Sequence, residues 1–298
     1  MGSTISKAII PVAGLGTRVL PASKVIPKEM MPVVDKPVIQ YVVEEAISAG
    51  ITEIIFVTRS GKATIEEHFY SHYELESVLE RNSKLSALKA VKNILPAGVT
   101  ITSVRQDHPL GLGHAIYCAA AVTGSDDFAV LLPDMLVNNY PQKQTDLSLM
   151  TKKYEDSGIG QIMVEPVPMD LVDRYGIVNC NGIDFSSGES CAINSVVEKP
   201  PVESAPSNLS INGRYILPSR IMELLKETQP GAGGEIQLTD AIDQYLKEGA
   251  LHAFRMSGKT YDCGSKTGYI QANIAYGLQH PETASGLKAY LREINHSA

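Results

Sequence analysis

The feature that most constrains this chain is the alternation, through its first half, of short apolar runs rich in β-branched residues with segments of helical periodicity. Strands of a parallel sheet that is covered by helices on both faces are buried on both sides, and they have this composition. The alternation therefore predicts a doubly wound, Rossmann-like α/β fold with a mixed, mainly parallel sheet. The predicted strands are residues 7–12, 53–58, 100–106 and 128–134.

Helices are predicted between these strands. The first covers about residues 37–49, with Pro37 suited to its first position and Gly50 at its end. A longer polar stretch, about residues 62–92, has helical character and is expected to break near Ser71, and another helix begins near residue 113. The apolar side chains of the first helix fall on one face at helical spacing.

After about residue 157 the pattern changes to shorter strands interrupted by proline and glycine, which predicts a smaller inserted β region. The C-terminal part returns to helices from about residue 266. We expect a single domain over residues 1–298, with a first half at about 1–157, a second half at about 158–265 and C-terminal helices at about 266–298.

Bulk properties exclude several classes of protein. A net charge of −7 argues against binding to nucleic acid or to an anionic membrane, because both need an extended basic surface. No run of 18 apolar residues occurs, and the start has no long apolar segment of a signal peptide, so we expect a cytoplasmic protein. The four cysteines form no CxxC pair, and the histidines form no HExxH motif.

A glycine-rich and basic segment, residues 13–37, follows the first strand. Gly14 and Gly16 allow the backbone to approach a ligand closely and to turn its amides towards an anion. Three cations, Arg18, Lys24 and Lys28, occur in residues 13–28 without any acid. In a chain of net negative charge this bias indicates a local polyanion site.

Two common phosphate motifs do not fit. The dinucleotide fingerprint needs a third glycine where Val19 stands, and it needs a helix where Pro21 and Pro27 keep the chain irregular. The P-loop pattern has a near match at residues 258–260, but Ala253 occupies its first glycine position and no helix follows at once.

The ordered motifs AGLGTR, PKEMMPVVDKP, RQ, GLGHA, LLPD, YGIV, VVEKP, GRY, GEIQLTDAI and YDCG cover nearly the whole chain. Together they resemble the sugar nucleotidyltransferase family, and within it the bacterial enzymes that act on UTP and glucose 1-phosphate. The resemblance implies in-line attack of the sugar phosphate on the α-phosphorus of UTP, with UDP-glucose and pyrophosphate as products and Mg²⁺ as cofactor. We also expect a homo-oligomer, either a dimer or a tetramer.

The resemblance also implies the residues that handle phosphate and metal. Asp134 and Asp262 correspond to magnesium ligands, and Arg18 and Lys28 to cations that hold the triphosphate. Asp134 follows an apolar strand, where ligands of such sheets bind. The residues alone leave a capping role for either aspartate and a solvated position for either cation. For Lys24 and Lys36 the residues alone also leave open whether the side chain contacts phosphate or is solvated.

For the sugar phosphate, the resemblance implies contacts from Lys199 to phosphate and from Glu198 to glucose hydroxyls. Gly176 and Gly213 correspond to glycines of the sugar pocket, although ordinary turns would also explain them. Asn212 departs from the family, which usually has an aliphatic residue there, and this leaves the fine sugar preference open.

For the nucleotide, the resemblance implies that Ala13, Gly14, Gly16 and Thr17 contribute the backbone of the binding loop. Gln106 and Gly111 are expected near the uracil edge, because a glutamine amide offers both a donor and an acceptor. His114 is interpreted as packing at the start of a helix.

Two alternatives remain. One is the same fold with another nucleotide and sugar, for example dTTP, and the other is a non-catalytic regulatory paralogue. A paralogue of that kind should lack a phosphate or metal residue. This chain keeps the implied residues: Thr17, Arg18, Lys28, Asp134, Lys199 and Asp262.

Overall fold

The computed structural model describes residues 4–297, within which the chain forms fourteen strands and eleven α-helices. The strands are β1 (Lys7–Pro11), β2 (Pro32–Val33), β3 (Lys36–Pro37), β4 (Glu53–Thr58), β5 (Thr100–Arg105), β6 (Phe128–Leu131), β7 (Met135–Asn138), β8 (Gly160–Pro166), β9 (Gly176–Asn179), β10 (Ser190–Ala192), β11 (Ser195–Glu198), β12 (Leu209–Leu217), β13 (Leu251–Arg255) and β14 (Lys259–Asp262). The helices are α1 (Val38–Ser48), α2 (Ala63–Glu67), α3 (Tyr73–Arg81), α4 (Leu85–Lys92), α5 (Leu112–Tyr117), α6 (Ala120–Thr123), α7 (Asp146–Ser157), α8 (Arg220–Glu227), α9 (Leu238–Tyr245), α10 (Lys266–Gly277) and α11 (Ala284–Ser297).

Ten strands form one sheet with the order β10-β13-β8-β12-β6-β1-β4-β5, and β9 and β11 extend it beside β12. The pairs β6–β1, β1–β4 and β4–β5 are parallel, as is β13–β8, whereas β12 is antiparallel to β6, β8 and β9. The expected α/β fold with a mixed, mainly parallel sheet is therefore confirmed.

Alternate residues of β1 show why helices cover both faces of the sheet. Ala8 and Ile10 belong to one buried cluster together with residues of α1, α7 and α10. Ile9 points to the other face and belongs to a second cluster, with residues of α5, α8 and α9. Successive side chains of a strand point to opposite faces, so an entirely apolar strand requires a helical layer on each side.

Two of the predicted boundaries shift. The strand predicted at 128–134 ends at Leu131, because Pro133 has no N–H to donate to a sheet and the chain turns there before β7 begins. The helical stretch at 62–92 is divided into α2, α3 and α4, with a break near Ser71 as predicted and a second one after Arg81.

The β region of the second half is continuous with the central sheet. β12 pairs with β6 on one side and with β8 on the other, so the single sheet runs through both halves of the chain. Within residues 4–297 no helix is both long enough and apolar enough to cross a membrane.

Candidate active site

The glycine-rich segment forms a succession of short 3₁₀ turns, Thr17–Val19, Ala22–Lys24 and Lys28–Met30, instead of a continuous helix. Gly16 has a φ of 70°, a left-handed conformation that favours glycine. A Cβ at this position would lie 3.1 Å from the Cβ of Ser23, whose hydroxyl donates to the Gly16 carbonyl at 2.7 Å. The loop therefore folds back on itself and presents Arg18 and Lys28 on one side.

A buried ion pair anchors the far end of this loop. Both carboxylate oxygens of Glu29 accept hydrogen bonds from Lys62 Nζ, at 2.9 and 2.8 Å. Burial raises the pKa of Glu29 and lowers the pKa of Lys62, and their mutual attraction offsets only part of that cost. Removing one partner would leave an uncompensated buried charge, so the pair holds the adjacent Lys28 firmly.

Asp134 and Asp262 are brought together by a small sheet formed by β7 and β14. The two strands are antiparallel, and Met135 lies opposite Asp262 in the register. The Cys263 amide then donates to the Asp134 carbonyl at 2.7 Å. Because β7 begins directly after Asp134, this pairing places the two carboxylates side by side.

The two aspartates and the two loop cations form a charged quartet: Arg18, Lys28, Asp134 and Asp262. Arg18 spans both carboxylates, with Nη1 at 2.8 Å from Asp262 and Nη2 at 3.4 Å from Asp134. Lys28 Nζ lies 2.6 Å from Asp134. Burial alone would raise the pKa of Asp134, but the charge and hydrogen bond of Lys28 and the charge of Arg18 hold it below the ordinary value.

Because Gly264 has no side chain, the charged quartet has room beside it. A Cβ at this position would lie 2.5 Å from Asp134 Oδ2, 2.6 Å from Arg18 Nη2 and 2.9 Å from Asp262 Oδ1. The Gly264 amide also donates to Asp262 at 2.9 Å. A side chain here would push the three charged groups apart.

The donor set of the quartet fits a magnesium ion that is completed by its substrate. Two carboxylates converge on one cationic group, and no third Asp, Glu, His or Cys joins them among residues 4–297. Mg²⁺ is usually bound by one or two carboxylates with water and substrate phosphates making up the rest of its shell. Asp134 and Asp262 therefore suit a metal that arrives with a phosphate ligand.

A first cleft of about 670 Å³ opens at the carboxyl ends of β1, β4, β5 and β6. Lys28 and Asp134 of the quartet lie in its wall. Ligands of open α/β sheets bind at this edge. Other residues that line the first cleft include Ala13, Gly14, Arg59, Arg105, Gln106, Gly111 and Glu235.

Gln106 lies at the wall of the first cleft and contacts two predicted neighbours. Its Nε2 donates to the Gly111 carbonyl at 3.2 Å and lies 3.1 Å from His114 Nδ1. His114 is thus a polar contact of Gln106 as well as a residue of the first turn of α5. The amide oxygen of Gln106 makes no hydrogen bond within residues 4–297, so an acceptor remains for a ligand.

Gly111 and Gly113 let the loop before α5 pack directly on another segment. The φ of Gly111 is 95°, and a Cβ there would lie 2.7 Å from the Cβ of Glu235. A Cβ at Gly113 would lie 2.7 Å from the Ile236 carbonyl, which accepts the Gly113 amide at 2.9 Å. Glu235 is thereby held at the edge of the first cleft.

A second cleft of about 690 Å³ lies on the other side of Glu235. Its wall is acidic, and Lys199 is the one cationic side chain among the described residues that line it. Partial burial and the charges of Glu198 and Asp243 raise the pKa of Asp240. The full lining is Val196, Val197, Glu198, Lys199, Gly233, Glu235, Gln237, Asp240 and Asp243.

Lys199 and Glu198 contact each other at the end of β11. Lys199 Nζ lies 3.1 Å from Glu198 Oε1, and the lysine side chain is 56% exposed. Lys199 has a φ of 45°, a left-handed conformation that costs an ordinary residue about 1–3 kcal/mol. Glu198 also accepts a hydrogen bond from Thr239 at 3.0 Å, and a Cβ at Gly176 would lie 3.3 Å from its carboxylate.

Several predicted positions lie outside both linings. Gly213 has a φ of 66° at a bulge of β12, and its carbonyl accepts the Leu132 amide at 2.9 Å, so it lies behind the Asp134 turn. Asn212 is buried and donates to Met256 Sδ at 3.1 Å.

Lys36 pairs with Glu44 at 2.9 Å. Thr17 and Lys24 are exposed on the loop, and Gly16 is half-buried there.

Several residues of this site have no role predicted from the sequence. Arg59 and Arg105 line the first cleft because they follow or end β4 and β5, and the rule that ligands bind at strand ends could have found them. Glu235 and Gly264 lie inside quoted motifs without an assigned role, as does Arg214. Their contacts are with distant parts of the chain, and no local pattern indicates them.

Comparisons with known proteins agree with this geometry. The model of the nucleotidyl transferase family matches residues 7–278. A UTP–glucose-1-phosphate uridylyltransferase of Haemophilus influenzae is 49% identical over 290 residues, which are 97% of this chain and 98% of the relative.

Two solved structures are also similar over nearly the whole chain. The UTP-bound UGPase from Acinetobacter baumannii is 53% identical, with a TM-score of 0.91 over 97% of this chain and 99% of that one. A UDP-glucose pyrophosphorylase complexed with UDP-glucose is 40% identical, with a TM-score of 0.83 over 93% of this chain and 100% of that one.

Proposed function

Since the chain belongs to the nucleotidyl transferase family and resembles its UTP–glucose-1-phosphate uridylyltransferases over nearly its whole length, we propose that it transfers the uridylyl group of UTP to α-D-glucose 1-phosphate. The products are UDP-glucose and pyrophosphate. The chain is a nucleotidyltransferase, and the assignment of individual residues below is part of the proposal.

The observation that carries this proposal is the meeting, at Glu235, of two clefts with different chemistry. The first cleft is lined by Lys28 of the charged quartet, by Arg59 and Arg105 and by the Gln106 amide, which suit a nucleoside triphosphate. The second is lined with carboxylates and one lysine, which suits a hydroxyl-rich molecule with a single phosphate. A transferase that joins these two substrates needs both sites side by side.

In the first cleft, Lys28 and Arg18 hold the triphosphate. Arg18 offers a planar fork for two phosphate oxygens, whereas Lys28 acts as a compact charge. The free acceptor of Gln106 and the backbone of Ala13 and Gly14 face the base. Gly14 has only the Lys28 side chain near its missing Cβ, at 3.7 Å, so the loop backbone is open to a ligand.

In the second cleft, the carboxylates orient the sugar and Lys199 orients its phosphate. Ionised carboxylates accept hydrogen bonds from sugar hydroxyls but repel a phosphate. The phosphate of glucose 1-phosphate therefore points to Lys199, and the hydroxyls point to Glu198 and Asp240. Gly176 allows the sugar to lie close to the backbone beside Glu198.

The reaction is a displacement at the α-phosphorus by a phosphate oxygen of the sugar phosphate. This oxygen is already ionised at neutral pH, so the step needs no general base. Alignment of two bound reactants can supply roughly 7–11 kcal/mol of the barrier. Arg18 and Lys28 stabilise the charge that develops on the departing pyrophosphate.

Members of this family normally use a divalent metal ion, and we propose Mg²⁺ for this chain. Asp134 and Asp262 would hold it, with substrate phosphate oxygens and water completing its shell. When bound, such an ion neutralises phosphate charge and orients the oxygens around the reacting phosphorus.

We further propose that residues 1–157 mainly serve the nucleotide and residues 158–265 mainly serve the sugar phosphate. The location of the first and second clefts supports this division, although Glu235 of the second part reaches both. We also propose that the protein is cytoplasmic, where UTP is made. We propose in addition that it is a homo-oligomer, either a dimer or a tetramer. Light scattering of the purified chain measures its oligomeric state.

A matrix of pyrophosphate-release assays tests the reaction. UTP, dTTP, GTP, ATP and CTP are each combined with the 1-phosphates of glucose, galactose and N-acetylglucosamine. The pair of UTP with glucose 1-phosphate should give the highest kcat/KM. A different leading pair would overturn the substrates, and no release with any pair would overturn the enzymatic function.

A further inference from the structure

A buried guanidinium lies directly beneath the turn that carries Asp134. Arg214 belongs to β12, is completely buried, and stands opposite Leu131, the last residue of β6. The chain leaves the sheet after Leu131 and forms the turn 132–135, in which Asp134 is the third residue. The Arg214 side chain therefore lies at the base of that turn.

All five N–H donors of Arg214 are used. Nε and Nη2 bind the two carboxylate oxygens of Glu45, at 3.0 and 2.8 Å. Nη1 donates to the carbonyls of Leu132 and Gly213, at 3.2 and 3.0 Å, and Nη2 donates to the Met135 carbonyl at 2.7 Å. An arginine has five such donors in a rigid plane, so this side chain has no capacity left.

Two of these carbonyls flank Asp134 on either side. Leu132 and Met135 are bound by the same guanidinium, and the Asp134 carbonyl itself accepts the amide of Cys263. The backbone on both sides of the carboxylate is thus fixed by one buried group. A shift of Arg214 would move the turn and with it Asp134.

Glu45 provides the charge that permits a guanidinium at this depth. It belongs to α1, and its side chain is 8% exposed. A buried ion pair of this kind is often no more stable than two apolar side chains of similar volume. Stability alone therefore explains poorly why a buried ion pair of Arg214 and Glu45 is present here. The three carbonyl contacts of Arg214 give a specific explanation.

We propose that Arg214, oriented by Glu45, is a positioning residue that fixes the Asp134 carboxylate relative to Arg18, Lys28 and Asp262. This inference rests on the proposed function, in which Asp134 holds the metal that accompanies UTP. Groups that orient a metal ligand typically contribute about 10–100-fold to metal affinity or activity.

Arg214→Lys tests the proposal. A lysine keeps the charge but has three donors on a flexible chain, so it cannot hold Glu45 and three carbonyls at once. We expect kcat to fall by about 10–100-fold and Mn²⁺ binding in the presence of UTP, measured by electron paramagnetic resonance, to weaken in the same range. The KM for glucose 1-phosphate should change by less than about 2-fold, because a positioning residue for one metal ligand affects kcat and metal affinity rather than uniform sugar binding.

The matched control is Arg255→Lys. Arg255 ends β13 in the same sheet and binds Asp184 and the Phe185 carbonyl, away from both clefts. The same chemical change there should leave kcat and Mn²⁺ binding at the wild-type level. Circular dichroism and Tm show whether each variant is folded.

A double-mutant cycle separates positioning from general destabilisation. If Arg214 acts through Asp134, Arg214→Lys should lower the residual kcat of Asp134→Asn by less than about 2-fold, since coupled residues are not additive. Additive losses, or a folded Arg214→Lys variant with wild-type kcat and Mn²⁺ binding, would overturn the proposal. If Arg214→Lys does not fold, Glu45→Gln is measured by the same criteria. Absence of UDP-glucose synthesis by the wild type would overturn the proposed function instead.

Discussion

Lys28, in the wall of the first cleft, is paired with a residue 106 positions away, whereas Lys199, in the wall of the second cleft, is paired with its neighbour in the chain. Lys28 is 15% exposed, binds Asp134 and follows directly on a loop anchored by the Glu29–Lys62 pair. Lys199 is 56% exposed and pairs only with the adjacent Glu198 in residues 4–297.

The two halves of the site are therefore prepared for their ligands in different ways. The charged quartet holds its cations and carboxylates in place through mutual ion pairs before any substrate binds, so substrate and metal must replace those partners. In the second cleft, Lys199 meets a ligand from solvent with little to displace. Changes in the quartet should therefore affect turnover and the binding of UTP, and changes at Lys199 should affect sugar-phosphate binding.

The largest effect is expected for Asp134→Asn, with Asp262→Asn next. Either change removes one of the two carboxylates that suit the metal, and loss of one electrostatic group of this kind costs about 10²–10³-fold in kcat. Steady-state pyrophosphate release measures the loss, and circular dichroism checks the fold. Asp184→Asn is the control, because that aspartate is 96% exposed and lies outside both clefts. If both aspartate variants kept wild-type turnover, the claim that the charged quartet controls turnover would be wrong.

Gly264→Ala should lower kcat by about 10²-fold, as expected when reacting groups are displaced by about 1 Å. The added methyl group would push on the side-chain ends of Asp134, Arg18 and Asp262, which can move, so Tm should stay within a few degrees of the wild-type value. Gly286→Ala, where the added Cβ meets no atom within 4 Å, is the control. Unchanged turnover in Gly264→Ala would mean that the spacing of the quartet is not important.

Lys199→Ala and Lys28→Ala test the comparison from both sides. A charge-assisted hydrogen bond contributes about 1.5–3 kcal/mol, which corresponds to roughly 10–100-fold in affinity. Because Lys199 is exposed, we expect the lower end, an increase of about 10-fold in the Kd for glucose 1-phosphate, with UTP binding changed by less than about 2-fold. Lys28→Ala should show the reverse pattern. Titration calorimetry with each substrate separates the two, and equal effects on both substrates would break the proposed division.

The smallest expected effect is a gain in metal affinity, whereas the other predicted effects are losses of activity or binding. Arg18 occupies both carboxylates of the quartet, so Arg18→Gln should strengthen the binding of free Mn²⁺, without nucleotide, by about 2–5-fold, in line with the ~0.2–1 kcal/mol of an exposed ion pair. Turnover should fall in the same variant, because the triphosphate loses its guanidinium.

Lys24→Gln serves as the control for this measurement, since Lys24 is an exposed cation of the same loop. Electron paramagnetic resonance measures free and bound Mn²⁺ in both variants. Equal or weaker binding in Arg18→Gln would show that the guanidinium does not compete with the metal.

Much of the fold could be predicted from local sequence. β4 has the predicted limits, and β1, β5 and α1 begin or end within one residue of theirs, because their residue types and spacing favour a strand or a helix locally. β6 was predicted too long, since an apolar run with Leu132 and Pro133 continues beyond the last paired residue.

Only the folding of distant segments onto one another brings the charged quartet together. Arg18 and Asp262 are 244 positions apart, and their contact depends on the β7–β14 register that places Met135 opposite Asp262. The sequence alone determined which residue types were available: two aspartates and two cations in phosphate-handling motifs. Their distances, the space left by Gly264 and the buried support from Arg214 follow from the packing of separate elements, and no periodicity in the chain records such long-range contacts.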